Sequence, residues 1–288
     1  MSPYLLRQIP YAIFVIGIFL AYGLSVRSGR IRGRRVLTVG IAVGVLAILA
    51  AALTSLPELR SGRISFGAFL VNPLMMAFTA AYCILLSYRL HQVFDIATYT
   101  LGDTKILIRA CGGGQLPDAH ALLLPTNTHF RMAGGAAGPL GVAGGPEIAA
   151  EAEKAEPAPL LKVMATGPGK LEVGRIYHVA VHEPGKPVDA KALRQGIENA
   201  ARQARKAGAE SVVVPVAWYR GLAADKMARA AADGMLRQRK AFAEIVFAVL
   251  DPRDAKSAHE ALRAALEAVE PGVTGAAGDS EKDASGRR

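Results

Sequence analysis

Three uncharged apolar runs dominate the first third of the chain: 9–26 (IPYAIFVIGIFLAYGLSV), 36–56 (VLTVGIAVGVLAILAAALTSL) and 64–88 (ISFGAFLVNPLMMAFTAAYCILLSY). About 20 apolar residues cross the roughly 30 Å of bilayer hydrocarbon. The second and third runs meet that length, and the first does so with help from Tyr4 to Pro10 at the interface. The pattern therefore predicts three transmembrane helices. A signal peptide is the competing reading of the first run, because Arg7 precedes it. That run ends in a dense basic cluster rather than a small-residue cleavage site, which favours an anchor. Asn72-Pro73 interrupts the third run, a place where a kink is tolerated if neighbours satisfy the freed backbone. None of the runs has an ionisable residue at its centre, so no ion pathway is indicated.

From about residue 103 the periodicity changes. Short apolar runs at 105–110, 120–124, 160–166, 175–181, 211–217 and 243–250 read as strands. Helical stretches at 189–207, 223–240 and 254–269 separate the later ones. In 189–207, Ala192, Ile197, Ala200, Ala201 and Ala204 give an apolar side, and Arg194, Arg202, Arg205 and Lys206 face away. Gly208 stands where that helix stops. Strands alternating with helices predict an α/β sandwich around a mixed, mostly parallel sheet. Residues 271–288 are small, polar and without period, and read as a disordered tail. The resulting division is a membrane anchor over 1–94, a soluble domain over 95–270 and the tail.

Charge sharpens that division. Of 34 Lys+Arg and 24 Asp+Glu in 288 residues, nine Arg but only one acid, Glu58, fall in 1–94. The remainder of the chain is nearly neutral. The overall net charge of +10 is thus a membrane-flank signal, and a nucleic-acid partner is excluded at the level of composition. Loop 27–35 (RSGRIRGRR) has five Arg, whereas loop 57–63 (PELRSGR) has two Arg and one Glu. The positive-inside rule then puts the first loop in the cytoplasm of a bacterial inner or plasma membrane. The N-terminus lies outside and the soluble domain in the cytoplasm. The two cysteines, Cys83 and Cys111, are not expected to pair.

Four segments could carry chemistry. The run HALLLPTNTH (120–129) is a strand ending abruptly in a turn, and ligands of open α/β sheets bind beyond the carboxyl ends of strands. Asn127 there offers donors and an acceptor, or simply forms the turn. AGGAAGPLGVAGG (133–145) has six Gly in thirteen residues. It reads either as a phosphate-approaching loop running into a helix start at Pro146-Glu147 or as a flexible loop. AWYRGL (217–222) holds the sole Trp and follows a strand. Its aromatic pair and Arg220 could stack on a sugar or base and pair with phosphate, or could form an aromatic lid on the core. His178 and His182 lie on one strand roughly 13 Å apart at 3.3 Å per residue, too far to share a metal. No metal site, cofactor or catalytic constellation is expected.

In this order the segments resemble the macro-domain family. The quoted stretches are 118–135 (DAHALLLPTNTHFRMAGG), 141–153 (GVAGGPEIAAEAE), 163–183 (VMATGPGKLEVGRIYHVAVHE), 193–216 and 243–251, together covering about 103–266. The resemblance implies a three-layer α/β/α sandwich whose cleft binds ADP-ribose or a related nucleotide, and in some members removes ADP-ribose. Because these segments follow carboxyl ends of strands, phosphates are expected along the backbone of 133–138, with Gly134, Gly135 and Gly138, and near Gly221. Asn127 is expected on the proximal ribose and Trp218 or Tyr219 over a sugar. Trp218, Tyr219, Arg220 and Gly221 form the second loop. This sequence departs from the family pattern at several of its positions. Ala110-Cys111-Gly112 stands where a Gly-Asp pair is usual, and Leu124 where a first Asn would fall. Ala136, Ala137 and Gly138 stand where an acid used in hydrolysis is common, and the second loop is shorter. A non-catalytic, membrane-anchored binding module is therefore expected first. A degenerate scaffold for an unidentified protein partner comes second, and an ADP-ribosyl hydrolase third.

Overall fold

The computed structural model describes residues 34–62, 77, 81, 82, 85, 93–154 and 157–277. The chain divides into two compact units, Met1–His91 and Gln92–Arg288. In the first, helix α1 spans Arg34–Arg60 and contains the uncharged run 36–56. Taken over the described side chains, no helix is long and apolar enough to cross a membrane. The run 9–26 lies outside the described residues. So does 64–88, apart from residues 77, 81, 82 and 85, which are helical. On α1, Ile41, Val45, Leu49 and Leu53 form a row at four-residue spacing, each about half exposed or more.

The second unit is built on one sheet. Its strands among the described residues are β1 (Val93–Leu101), β2 (Thr104–Cys111), β3 (Ala119–Asn127), β4 (Val163–Thr166), β5 (Val173–His182), β6 (Ser211–Val216), β7 (Glu244–Val249) and β8 (Ala276–Ala277). They lie in the order β4-β5-β3-β6-β7-β2-β1-β8. The central pairings β5–β3–β6–β7–β2 are parallel and the outer ones antiparallel. The mixed, mostly parallel sheet expected from the alternation is therefore present. Each central strand is an almost continuous apolar run, such as IVFAV in β7, as strands covered on both faces require.

The helices are α2 (Ala137–Gly144), α3 (Pro146–Ala152), α4 (Ala190–Lys206), α5 (Ala224–Met235) and α6 (Ala255–Val269). Helix α4 forms where its apolar face demands. Leu193, Ile197, Ala200, Ala201 and Ala204 are buried, Asp189 caps the start by accepting from the Ala192 amide at 3.0 Å, and Arg205 and Lys206 lie in the last turn. Alternation along β5 separates the two faces. Val179 and Val181 meet Gly196 of α4, and α4 packs on α5, which packs on α6. Ala180 instead clusters with Phe130 and with Ala152 at the end of α3. Helices thus cover both faces of the sheet.

Two sequence expectations change. The segment 133–145 is not a loop ending at Pro146, because α2 already occupies Ala137–Gly144. Burial of Ala137, Leu140 and Ala143 outweighs the poor helix propensity of glycine. Pro139 is tolerated because it sits in the first turn. The tail is ordered at Ala276–Ala277, which pairs with Thr98 and Ala97 of β1; residues 278–288 lie outside the described set. Strand β1 itself falls before the first strand read from the sequence. It forms a two-residue hairpin with β2 through Gly102-Asp103, where Gly102 has φ +60°.

Candidate functional site

The crevice arises from a break in the sheet. Strand β3 pairs with β6 only at Ala121–Val212 and Leu122–Val213, while its pairing with β5 continues to Asn127. Beyond Leu122 the two strands carry Pro125 and Pro215, each without an amide donor, so the ladder is not extended. The chain leaving β3 goes to α2 and α3 on one face. The chain leaving β6 goes to α5, beside α4 on the other. Divergence of this kind at the carboxyl ends of neighbouring strands opens the crevice in which α/β proteins hold ligands.

One wall is the turn after β3. Asn127 is 7% exposed. Its Oδ1 accepts from the amides of His129 at 2.9 Å and Arg131 at 3.3 Å, and its carbonyl accepts from Phe130 at 2.9 Å. The acceptor end of the side chain therefore shapes the turn. No described residue accepts from Nδ2. The chain then bends through Gly134 (φ +75°) and Gly135 (φ +48°), a left-handed pair that only glycines adopt without strain. Gly138 lies in the first turn of α2 and its amide donates to the Gly134 carbonyl at 3.0 Å, so it is not a free donor.

The opposite wall is a tight turn over 219–222. The amide of each of Tyr219 and Leu222 donates to the carbonyl of the other at 2.9 Å. Gly221, with φ +82°, packs on Pro187, where a Cβ would come within 2.7 Å of the ring. Val188 donates to the Arg220 carbonyl at 2.9 Å, and the Arg220 guanidinium donates to the Gly185 carbonyl at 3.2 Å. The two aromatics part company here. Trp218 is 61% exposed, while Tyr219 is buried at 4%. The Tyr219 ring lies so close to Gly135 that a Cβ there would sit 2.2 Å from it. The hydroxyl donates to the Pro125 carbonyl at 3.1 Å. Burial pushes the Tyr219 pKa up and the Ala136 backbone amide acts in the opposite sense, so the phenol is neutral. The structure thus brings Asn127, Gly134, Gly135 and Tyr219 to one place, with Trp218, Arg220 and Gly221 on the adjoining turn.

A third group lies on β5, opposite Leu124 of β3, but below the surface. His178 is fully buried on β5. Its Nε2 is 2.8 Å from Thr166 Oγ1, which donates in turn to the Gly167 carbonyl at 3.1 Å. Its Nδ1 has no partner, and burial lowers its pKa to about 4. These hydrogen bonds make it a neutral structural histidine, donating from Nε2. His129 borders a separate groove of about 490 Å³ with Thr128, Pro157, Leu160 and Glu183. Among the described residues no cluster of three or more His, Cys, Asp or Glu could hold a metal ion.

Comparison with known proteins agrees with this architecture. The family model for the macro domain matches residues 124–218, a span running from the end of β3 to Trp218. An uncharacterized protein of Aeropyrum pernix is 35% identical over 137 residues, covering 46% of this chain and 72% of that one. An uncharacterized protein of Mycobacterium tuberculosis is 29% identical over 154 residues, 52% of this chain and 42% of its own length. Among solved structures, the Oceanobacillus iheyensis macrodomain with MES bound superposes with a TM-score of 0.52 at 18% identity, over 61% of this chain and all of that one. The same macrodomain with ADP gives 0.51 at 16% identity, over 62% and 99%. At those identities the likeness is one of fold. Residues 124–218 thus match the macro-domain family model, and the unit that contains them has the fold of solved macrodomains.

Proposed function

We propose that the crevice between β3 and β6 binds ADP-ribose or a related phosphate-bearing nucleotide, that it does so without turnover, and that α1 and its flanking runs anchor the protein in a membrane. The binding reading rests on the left-handed Gly134-Gly135 bend at the carboxyl end of β3, which lets backbone approach a phosphate closely. In this reading Asn127 Nδ2 donates to the proximal ribose, phosphates run along 134–137, and Trp218 and Arg220 line the outer end. The solved macrodomain with ADP supports the ligand class. The absence of turnover is read from sequence: Ala136, Ala137 and Gly138 follow the glycine bend, and hydrolysis requires a positioned acid or base. The anchor reading is supported by the three uncharged runs and by the exposed apolar row on α1.

Titration calorimetry on the full chain in detergent tests the reading. Saturable ADP-ribose binding is expected. Asn127→Asp keeps the turn-forming oxygen but removes the donor and adds negative charge, so affinity should fall about ten- to a hundredfold with the fold intact. Gly135→Glu should abolish binding, and no ADP-ribose should be released from a modified protein. One observation favours a second reading. Tyr219 is buried in the crevice, and failure of every nucleotide to bind at millimolar concentration would make the domain a scaffold.

A further inference from the structure

We infer that Tyr219 is an intramolecular plug: in the free protein its phenol occupies the place of a ligand oxygen, and binding requires the 219–222 turn to withdraw. The inference rests on the nucleotide reading of the crevice given above. From the opposite wall the ring packs on Gly135 of the loop after β3, and its hydroxyl reaches Pro125 on β3, beyond the point where the β3–β6 ladder stops. Its hydroxyl stands where a ligand hydroxyl could donate to the Pro125 carbonyl or a phosphate oxygen accept from a helix-start amide. It donates to the Pro125 carbonyl, and the Ala136 amide, just before α2, acts on the phenol to lower its pKa against the effect of burial. Amides at a helix start lack intrahelical acceptors and favour anions. A phosphate oxygen accepts from such an amide more strongly than a neutral phenol does, so ligand and ring compete for one position.

Withdrawal of the ring needs the turn to shift as one piece. Its two reciprocal backbone bonds close it on itself. Outside it, Gly221 packs on Pro187, the Val188 amide donates to the Arg220 carbonyl, Arg220 donates to Gly185, and Leu222 is buried in the core. Trp218, beside the plug and 61% exposed, reports any displacement. If only a fraction of molecules is open, apparent affinity falls by that fraction.

Tyr219→Phe keeps the ring and removes the hydroxyl bond. Loss of one neutral hydrogen bond shifts the closed state enough that ADP-ribose should bind about three- to tenfold more tightly, even as the melting temperature drops. Tyr219→Ala should tighten binding further. In the wild-type chain, Trp218 emission should change at saturation. A tyrosine that merely packs the core would lower stability in both variants with affinity unchanged or reduced, and that result overturns the plug while leaving nucleotide binding in place. Binding by Tyr219→Ala where the wild type shows none supports it. If neither the wild type nor either variant binds, the nucleotide reading falls and takes the plug with it. Should the variants fail to fold, a wild-type Trp218 signal unmoved by saturating ADP-ribose overturns the inference.

Discussion

His178 sits among apolar neighbours, edge-on to Phe130 at 6.5 Å between ring centroids, with one nitrogen satisfied and the other bare. Protonating it would put a charge where nothing accepts from Nδ1. The unfolded chain meets no such obstacle and titrates near 6.5, whereas the folded pKa is about 4. Between those values the unfolded state binds more protons, so stability rises with pH. The contribution is complete above pH 6.5 and is lost progressively as pH falls toward 4, by about 3 kcal/mol in all. Melts of the wild type should therefore fall steeply across that window. In His178→Leu the slope should flatten, whatever the change in absolute stability.

Helices α4 and α5 touch through Gly234, where a Cβ would meet the Arg194 carbonyl at 2.4 Å. Backbone cannot yield as a flexible side chain can. Gly234→Ala should therefore destabilise the domain by about 1–3 kcal/mol, read as a lowered melting temperature in calorimetry. The existence of α4, α5 and α6 is legible in the sequence because each repeats its apolar positions at helical spacing over a dozen residues or more. Strands β2 to β7 are legible as apolar runs between turn residues. Helix α2 is not, since six glycines look like a loop until Gly144 is seen pressed on Ile148 and Leu171. The β1–β2 hairpin left a signal, Gly102-Asp103 between two β-forming runs, but Asp95 and the threonines of β1 masked it behind the long apolar stretch before. In the crevice, Asn127 and the glycine bend could be nominated from local pattern. The opposite fates of Trp218 and Tyr219 could not. They depend on where the β3–β6 ladder stops and on Gly135, some eighty residues away.

The two units of the chain differ in how they meet solvent. The Gln92–Arg288 unit encloses a continuous core, from Ile106 on β2 to Leu266 on α6. Helix α1 instead presents Ile41, Val45, Leu46, Leu49 and Leu53 outward. If that surface faces lipid, the protein should stay in the membrane pellet through alkaline carbonate extraction and be released only by detergent. Recovery in the carbonate supernatant would rule out the anchor. At the far side of the sheet, β8 contributes only two residues, brought onto β1 because Gly275 has no side chain to strike the Tyr99 ring, 2.5 Å from where a Cβ would be. An uncovered strand edge offers unpaired amides and carbonyls to any other chain. Ending the chain after Thr274 should leave the melt of the domain almost unchanged while making its light scattering rise with concentration. The segment from Gly275 to Ala277 is thus expected to matter less to the melt than to solubility, because it occupies the β1 edge at Ala97 and Thr98, where a neighbouring molecule could otherwise add a strand.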